Sequence, residues 1–265
     1  LNLLGRSTIG GVFATNASGS RRIQVGAARD HLLGVRFIDG LGRVVKNGGR
    51  VMKNVTGYDL VKLMAGSWGT LGIITEVSFK VLPIAETQVT LQIASREASI
   101  LTRAMNTPYD VSGTFYDVAS GFAYIRIEGF DKSVKYRMQQ LLKEFYDFEI
   151  DIFDAEESKK FWSDVNNLAF LKNMQGDLWR ISVRPTDGIQ IIKKLDPKAS
   201  YLDWSGGLVW LRVEEGFNVR EKMQKMSGHA MCLSGTFNQF HPISTIEKTM
   251  SNSIRKKFDP KMLFN

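Results

Sequence analysis

Fourteen of the chain's 24 glycines fall within its first 72 residues. They punctuate Thr8-Ile-Gly-Gly11, Ala14-Thr-Asn-Ala-Ser-Gly19, Leu33-Gly34, Gly48-Gly49, Gly57-Tyr-Asp-Leu60 and Gly66-Ser-Trp-Gly-Thr-Leu-Gly-Ile-Ile-Thr-Glu76. Glycine is placed where φ must be positive or where backbone must approach something closely. Long helices are therefore excluded, and the pattern predicts short strands joined by glycine turns over residues 1–83. Between the glycines stand Thr15, Asn16 and Ser18, small side chains with hydrogen-bonding groups. The same 83 residues hold 11 Lys and Arg against 4 Asp and Glu, a net +7 out of +8 for the whole chain. Backbone amides and hydroxyls in a locally cationic setting favour an anionic, phosphate-bearing ligand. The alternative is a set of hairpin turns that holds nothing.

Several function classes drop out. The glycine run is not a dinucleotide G-x-G-x-x-G, since no βαβ frame surrounds it, nor a P-loop, since no G-K-[ST] follows. No window approaches the roughly 20 apolar residues of a membrane span. Cys232 is the single cysteine, which excludes intrachain disulfides and cysteine-cluster metal sites and fits a reducing, cytoplasmic setting. His229, Cys232 and His241 are close in sequence, but a spacing of three on a strand puts His229 and Cys232 on opposite faces, so no metal is expected. The positive charge is spread through turns rather than packed into a basic helix, so no nucleic acid is expected as a partner. The chain opens on Leu1 directly into a dense motif and stops abruptly after Phe258-Asp-Pro-Lys-Met-Leu-Phe-Asn265, as a piece or processed form of a longer protein would.

Within residues 1–83, Leu33–Asp39 and Arg43–Lys46 flank Gly40-Leu-Gly42 as a hairpin. Leu71–Val81 is expected as a strand with Ile73, Val77, Phe79 and Val81 on one face. Glycine then thins out. Thr87–Ala94 is predicted as a strand, and Ser95 as the cap of a helix reaching Asn106. Val111–Val118 and Ala123–Gly129 are strands, a helix follows from Asp131, and Phe148–Phe153 is a strand. After a linking helix from Glu156 to Leu171 the order recurs: strand 178–184, helix from Pro185 to Leu195, strands 199–204 and 208–214, helix 218–227, strand 229–233. Two βαββαβ units in tandem predict one antiparallel sheet with helices on one face, an α+β architecture. The expected divisions are residues 1–83, 84–244 and a C-terminal helix and tail over 245–265.

The segments Thr8–Gly11, Ala14–Gly19, Arg29-Asp30, Leu33-Gly34, Lys53-Asn54, Gly57–Leu60, Lys62-Leu63 and Gly66–Glu76 resemble the second half of the FAD-binding domain of the vanillyl-alcohol-oxidase-type (PCMH) flavoproteins. Within that group they resemble the glycolate oxidase subunits and D-lactate dehydrogenases. The likeness is dense over residues 1–83 and returns in the last ten residues. It implies FAD as cofactor. Gly10, Gly11, Thr15, Asn16, Ala17, Ser18 and Gly19 would line the pyrophosphate and ribityl chain. Gly69, Thr70, Gly72, Ile73 and Thr75 would meet the adenosine half or the flavin ring, with Glu76 as an anchor. The family's earlier half of this domain, with its own pyrophosphate turn, has no match in the chain. The implied chemistry is oxidation of a small 2-hydroxy acid by hydride transfer to FAD. The implied assembly holds an FAD subunit and an iron–sulfur subunit, through which the chain would lie at the inner membrane. A non-catalytic assembly role is the rival, since no histidine base is evident. Arg180, Arg184 and Arg212 are carboxylate-binding candidates on strands of the second region, and parity does not select among them.

Overall fold

The structure is a computed structural model that describes residues 7–52, 57–223 and 226–264. One unit is built from Leu1–Gly19, Val25–Pro83 and Pro242–Asn265, the other from Ser20–Gln24 and Ile84–His241. From the N-terminus the elements are α1 (Ile9–Ala14), α2 (Arg22–Val25), α3 (Ala28–His31), β1 (Leu32–Ile38), β2 (Val44–Gly48), α4 (Leu60–Met64) and β3 (Ile73–Phe79). The motif residues Lys53 and Asn54 lie outside the described residues.

Thr8 corrects the first expectation. Its Oγ1 accepts a hydrogen bond from Gly11 N at 3.1 Å, and the residues that follow form a helix rather than a turn. Gly10 and Gly11 are helical, with φ outside the positive range. A side-chain cap satisfies one of the orphan N–H groups at a helix start. That suffices here although two glycines lower helix propensity.

The three strands form an antiparallel sheet in the order β2-β1-β3. Strand β3 carries a second correction. The pairing Arg36↔Glu76 gives way to Phe37↔Ile74 across a register shift, so parity changes within the strand. Ile74 and Val77 therefore share the core, while Ile73 is 58% exposed. A bulge of this kind reverses which side chains face inward. The core is Phe13, Leu32, Val35, Phe37, Val61, Met64 and Leu71, with Phe258 packed against it.

The C-terminal segment is clasped to the β1–β2 turn. Gly40 N donates to Phe258 O at 2.8 Å. Asp259 is fully buried, and its carboxylate accepts from Leu263 N at 2.9 Å and Phe264 N at 2.8 Å. A Cβ on Gly40 would lie 2.3 Å from Asp259 Oδ1, so only glycine admits the clasp. Replacing Asp259 by Ala removes two charge-assisted bonds and is expected to destabilise the first unit by about 2–3 kcal/mol. Urea unfolding of the wild-type and Asp259→Ala chains measures it, and equal midpoints would show that the tail is not held here.

The second unit contains β4 (Thr87–Ala94), α5 (Ser99–Met105), β5 (Gly113–Asp117), β6 (Phe122–Gly129), α6 (Asp131–Glu144) and β7 (Ile150–Phe153). It continues through α7 (Ala155–Asn166), α8 (Ala169–Lys172), β8 (Asp177–Ser182), α9 (Pro185–Leu195), β9 (Ala199–Asp203), β10 (Leu208–Val213), α10 (Val219–Lys222) and β11 (His229–Ser234). The C-terminal α11 (Thr245–Phe258) follows. The two βαββαβ runs make one antiparallel sheet of eight strands, β11-β8-β10-β9-β5-β6-β4-β7. Several boundaries differ from expectation, and β8 ends at Ser182, which leaves Arg184 as the N-cap of α9 and not on a strand. Ser95 Oγ accepts from Glu97 N at 3.1 Å, but α5 starts only at Ser99. The linking helix breaks into α7 and α8 at Leu168, whose φ is 51°.

Strand alternation gives the sheet two unlike faces. One carries Leu91, Ile93, Tyr116, Ile125, Ile127, Trp179, Ile181, Leu202, Val209 and Leu211 in a single core with Leu101, Leu141, Phe145, Ile191 and Ile192 of the helices. The other presents Thr90, Phe115, Tyr124, Arg126, Arg180, Tyr201, Asp203, Trp210 and Arg212. Part of that face is covered by Trp162 and Val165 of α7. An arginine therefore sits in mid-strand on β6, β8 and β10, with Arg126 and Arg212 buried and Arg180 partly buried.

Candidate functional sites

In the first unit the two glycine-rich segments named from sequence run side by side. Gly66 N donates to Phe13 O at 3.1 Å and Trp68 N to Ala14 O at 2.9 Å. The turn that follows requires left-handed backbone at Trp68 (φ 55°) and Gly69 (φ 80°), as does Asn16 (φ 49°) in the facing segment. At Gly72, φ is 154° and an added Cβ would come 2.6 Å from Ile38 O, so this glycine is fixed by packing as well as conformation.

The donors are arranged differently from the sequence expectation. Thr15 Oγ1 donates to Gly11 O at 2.8 Å and Thr70 Oγ1 to Ser67 O at 2.7 Å, so both hydroxyl protons point inward. Thr75 Oγ1 donates to Arg36 O at 3.2 Å. Asn16 Oδ1 accepts from Arg29 N at 2.9 Å, and Arg29 Nη2 donates to Ala65 O at 2.7 Å, which ties the two segments together. Ser18 Oγ accepts from Ala28 N at 3.4 Å, and Ala17 N donates to Val12 O at 2.9 Å. Glu76 pairs with Arg36 at 3.3 Å on the surface. Asp59 caps α4 through Lys62 N, and Tyr58 is 90% exposed.

Among the described residues of these two segments, one buried side-chain atom is left over. Ser67 Oγ is buried without a hydrogen-bond partner, in the turn beside Gly69, where an added Cβ would meet nothing. Buried polar atoms are rarely left unpaired. An unpaired hydroxyl among left-handed backbone at Gly66, Trp68 and Gly69 suits a ligand rich in acceptors, such as the diphosphate and ribityl chain of FAD.

The second unit carries a site that the sequence indicated only in part. Of the three candidate strand arginines, Arg212 is spent on structure: Nε donates to Leu171 O at 3.2 Å and Nη1 to Gly176 O at 2.7 Å. Arg184 is exposed and pairs with Asp187 at 2.8 Å. Arg180 differs from both. Its guanidinium lies 5.0 Å from the ring centre of Trp204 and 5.8 Å from that of Trp210. Among the described residues it has no carboxylate or carbonyl within bonding distance. Burial, reinforced by the nearby Arg22, lowers its pKa to about 10, against the opposing pull of Asp203. It stays charged at neutral pH. The Arg22 guanidinium stands 4.8 Å from the same Trp204 ring.

Backbone strain holds that ring in place. Trp204 and Ser205 have φ of 52° and 60°, both left-handed and both non-glycine. Such residues cost of order 1–3 kcal/mol each and cluster at ligand clamps. Behind them lies Asp203, 3% exposed, whose carboxylate accepts from Ser20 Oγ and Trp204 N, each at 2.6 Å. Burial raises its pKa to about 6, held down from higher by those two hydrogen bonds and by Arg126 and Arg180. Arg126 stacks on Trp162 at 4.4 Å and bonds Ser112 through Nε at 2.9 Å, and Glu128 binds Arg21. Sequence reasoning missed Asp203, Trp204, Ser20 and Arg126. The available signal was an arginine between apolar neighbours in mid-strand, as in Ile125-Arg126-Ile127 and Trp179-Arg180-Ile181.

The histidines offer no cluster. Both ring nitrogens of His31 face carbonyl oxygens, of Val25 at 2.9 Å and Lys80 at 3.3 Å. His241 Nδ1 accepts from Ala230 N at 3.2 Å, and His229 meets that ring edge-on. Among the described residues no helix is long and apolar enough to cross a membrane.

Comparison with known proteins bears on the first site directly. A family model described as an FAD binding domain matches residues 2–48. The chain is 34% identical over 265 residues to the glycolate oxidase subunit GlcE of Escherichia coli K12, spanning 98% of this chain and 71% of that protein. It is 44% identical over 85 residues to the glycolate oxidase subunit GlcD of Bacillus subtilis and over 87 residues to a D-lactate dehydrogenase of Anaerostipes hadrus. Those matches cover 32% and 33% of this chain and 18% of each relative. A solved alkyldihydroxyacetonephosphate synthase superposes on 97% of the chain and 56% of its own, with a TM-score of 0.66 and 16% identity, a likeness of fold.

Proposed function

The chain belongs to the family of the glycolate oxidase subunits, FAD-dependent oxidoreductases with a PCMH-type FAD-binding domain, and on that premise we propose that it binds FAD and takes part in oxidising a small 2-hydroxy acid to the 2-oxo acid. Residues 1–83 are the FAD-binding region and residues 84–244 the substrate domain. The cofactor is held by Gly10, Gly11, Thr15, Asn16, Ala17, Ser18 and Gly19 on one segment and Gly69, Thr70, Gly72, Ile73 and Thr75 on the other. Ser67 joins them as a hydroxyl with unused capacity. FAD, when bound, supplies the two-electron acceptor.

The observation that carries the substrate reading is Arg180. A largely buried guanidinium without a carboxylate partner is costly, and it is retained where an anion completes it. The carboxylate of the 2-hydroxy acid is that anion, held by the planar fork of Arg180 against the Trp204 ring. This fixes the orientation of the α-carbon.

A second reading is favoured by the engaged histidines: the chain binds FAD or acid as one member of an assembly, and its partners complete the chemistry. The partners are further glycolate oxidase-type subunits, an FAD subunit and an iron–sulfur subunit. The test is a titration of the 265-residue chain with FAD, followed by flavin fluorescence and heat, then glycolate-dependent dye reduction with and without the other subunits. Saturable FAD binding with reduction by the chain alone supports the catalytic reading. Reduction only after the partners are added supports the assembly reading. No FAD binding by the chain, alone or with partners, would overturn the cofactor assignment.

A further inference from the structure

Asp203 stands where a structural residue would be a poor choice. It is a fully buried carboxylate among arginines, yet none of them binds it directly among the described residues. Both of its bonds go to neutral donors, Ser20 Oγ and Trp204 N. The charged groups that act on it come from three elements: Arg126 on β6, Arg180 on β8 and, through Arg180, Arg22 on α2. Glu128 on β6 is already satisfied by Arg21. Phe115 on β5 and Leu208 on β10, its partners across the ladder, bring no charge. The pocket thus has one buried acid, bonded only to neutral donors, beside the guanidinium groups of Arg126 and Arg180 and a strained tryptophan.

We propose that Asp203 is the positioning residue of the Arg180 seat, and that its protonation couples anion binding to proton uptake. The proposal rests on the reading of Arg180 as the substrate's carboxylate seat. Two consequences follow from the geometry. First, the Asp203–Trp204 N bond holds Trp204 in its left-handed conformation, so Asp203 sets the ring on which Arg180 and Arg22 stack. Second, an incoming carboxylate and the Asp203 carboxylate compete for the same arginine field. A bound anion raises the proton affinity of Asp203, since like charges disfavour joint ionisation. By linkage, protonating Asp203 must then strengthen anion binding by the same factor. The burial that lifts its pKa to about 6 puts this exchange in the range near neutrality.

Glycolate serves as the probe, because it stays ionised from pH 5 to 8, and the whole chain is used without added FAD so that nothing turns over. Binding is followed by tryptophan fluorescence at each pH. It is also followed by calorimetry in two buffers of different ionisation heat, which reports the protons taken up. The wild-type chain is expected to bind glycolate about tenfold more weakly at pH 8 than at pH 5, a factor equivalent to one unit of coupled pKa shift. It should take up a fraction of a proton on binding. Asp203→Asn keeps the size and hydrogen-bonding capacity of the side chain and is expected to bind tightly, with no proton uptake and a flat pH profile. Ser20→Ala removes one hydrogen bond to the ionised form and is expected to move the pH midpoint upward by about one unit. If Asp203→Asn does not fold, the Ser20→Ala midpoint carries the test. An unchanged slope in Asp203→Asn, or an unmoved midpoint in Ser20→Ala, overturns the coupling while the Arg180 seat stands. Absence of glycolate binding by the wild-type chain at every pH overturns the seat itself and the coupling with it.

Discussion

Arg180→Met is expected to make the protein more stable and, in the same step, to weaken glycolate binding about a hundredfold. Most substitutions of a buried residue destabilise, by about 0.5–3 kcal/mol. This one runs the other way because of what Arg180 lacks. Its charge is largely desolvated, and among the described residues no carboxylate or carbonyl is bonded to it. The favourable terms are the two rings, Trp204 at 5.0 Å and Trp210 at 5.8 Å, and the field of Asp203. Methionine retains an unbranched, polarizable chain that packs against aromatic rings and carries no desolvation cost. Exchanging poorly compensated buried charge for apolar volume is commonly neutral or stabilising by about 1–4 kcal/mol. We expect about 1–2 kcal/mol here, seen as a higher urea midpoint at unchanged slope. The binding loss follows from removing charge-assisted hydrogen bonds worth about 1.5–3 kcal/mol each to a carboxylate. A drop in stability with binding intact would show that Arg180 is a structural residue.

The course of the fold was legible where local signals agreed with one another. Thr87–Ala94 alternates, a glycine turn separates Phe115 from Phe122, and Pro185 begins a helix, so the doubled βαββαβ order emerges from pattern alone. It failed where tertiary pairing overrode local preference. The parity of Ile73 and Ile74 depends on a register shift opposite Arg36 and Phe37, which no property of residues 71–81 announces. The break at Leu168 uses a left-handed leucine, where sequence reasoning looks for glycine. In the candidate flavin region the residues were legible as a set, because glycines and small polar side chains mark backbone approach. Their roles were not. Thr15 and Thr70 turn their hydroxyl protons onto carbonyls within four residues, and the orphaned hydroxyl is that of Ser67. Asp203 was the least visible residue. An aspartate at a strand end, followed by Trp-Ser-Gly-Gly, has the composition of an ordinary turn. Its meaning depends on Ser20, 183 positions away, and on arginines from two other strands.

Gly188→Ala carries the same lesson to a sign reversal. Gly188 lies inside α9, where replacing glycine by alanine ordinarily stabilises by about 1 kcal/mol through backbone entropy and helix propensity. Here the added methyl group would come 2.1 Å from Gly206 O and 3.1 Å from Leu202 Cδ2. A backbone carbonyl cannot swing aside as a side chain does. Gly206 is itself held at φ 95°, with its own Cβ position 2.7 Å from Pro185 O, so the turn and α9 grip each other from both sides. Gly207 N donates to Trp204 O at 3.0 Å and Val183 N to Gly207 O at 2.9 Å, which leaves the turn little slack. Overpacking of this kind costs about 1–3 kcal/mol and occasionally more. The net expectation is destabilisation by about 2–3 kcal/mol instead of a gain. The displaced segment is the one that carries Trp204, so glycolate affinity should fall as well, although residue 188 faces the helix-covered side of the sheet. Urea unfolding and a glycolate titration of the same sample decide it. Loss of stability with loss of affinity shows that the Trp204–Gly207 turn is built rigidly against α9 to present the ring. A gain of about 1 kcal/mol with unchanged affinity would mean that the turn yields, and that the strain at Trp204 is not imposed by this packing.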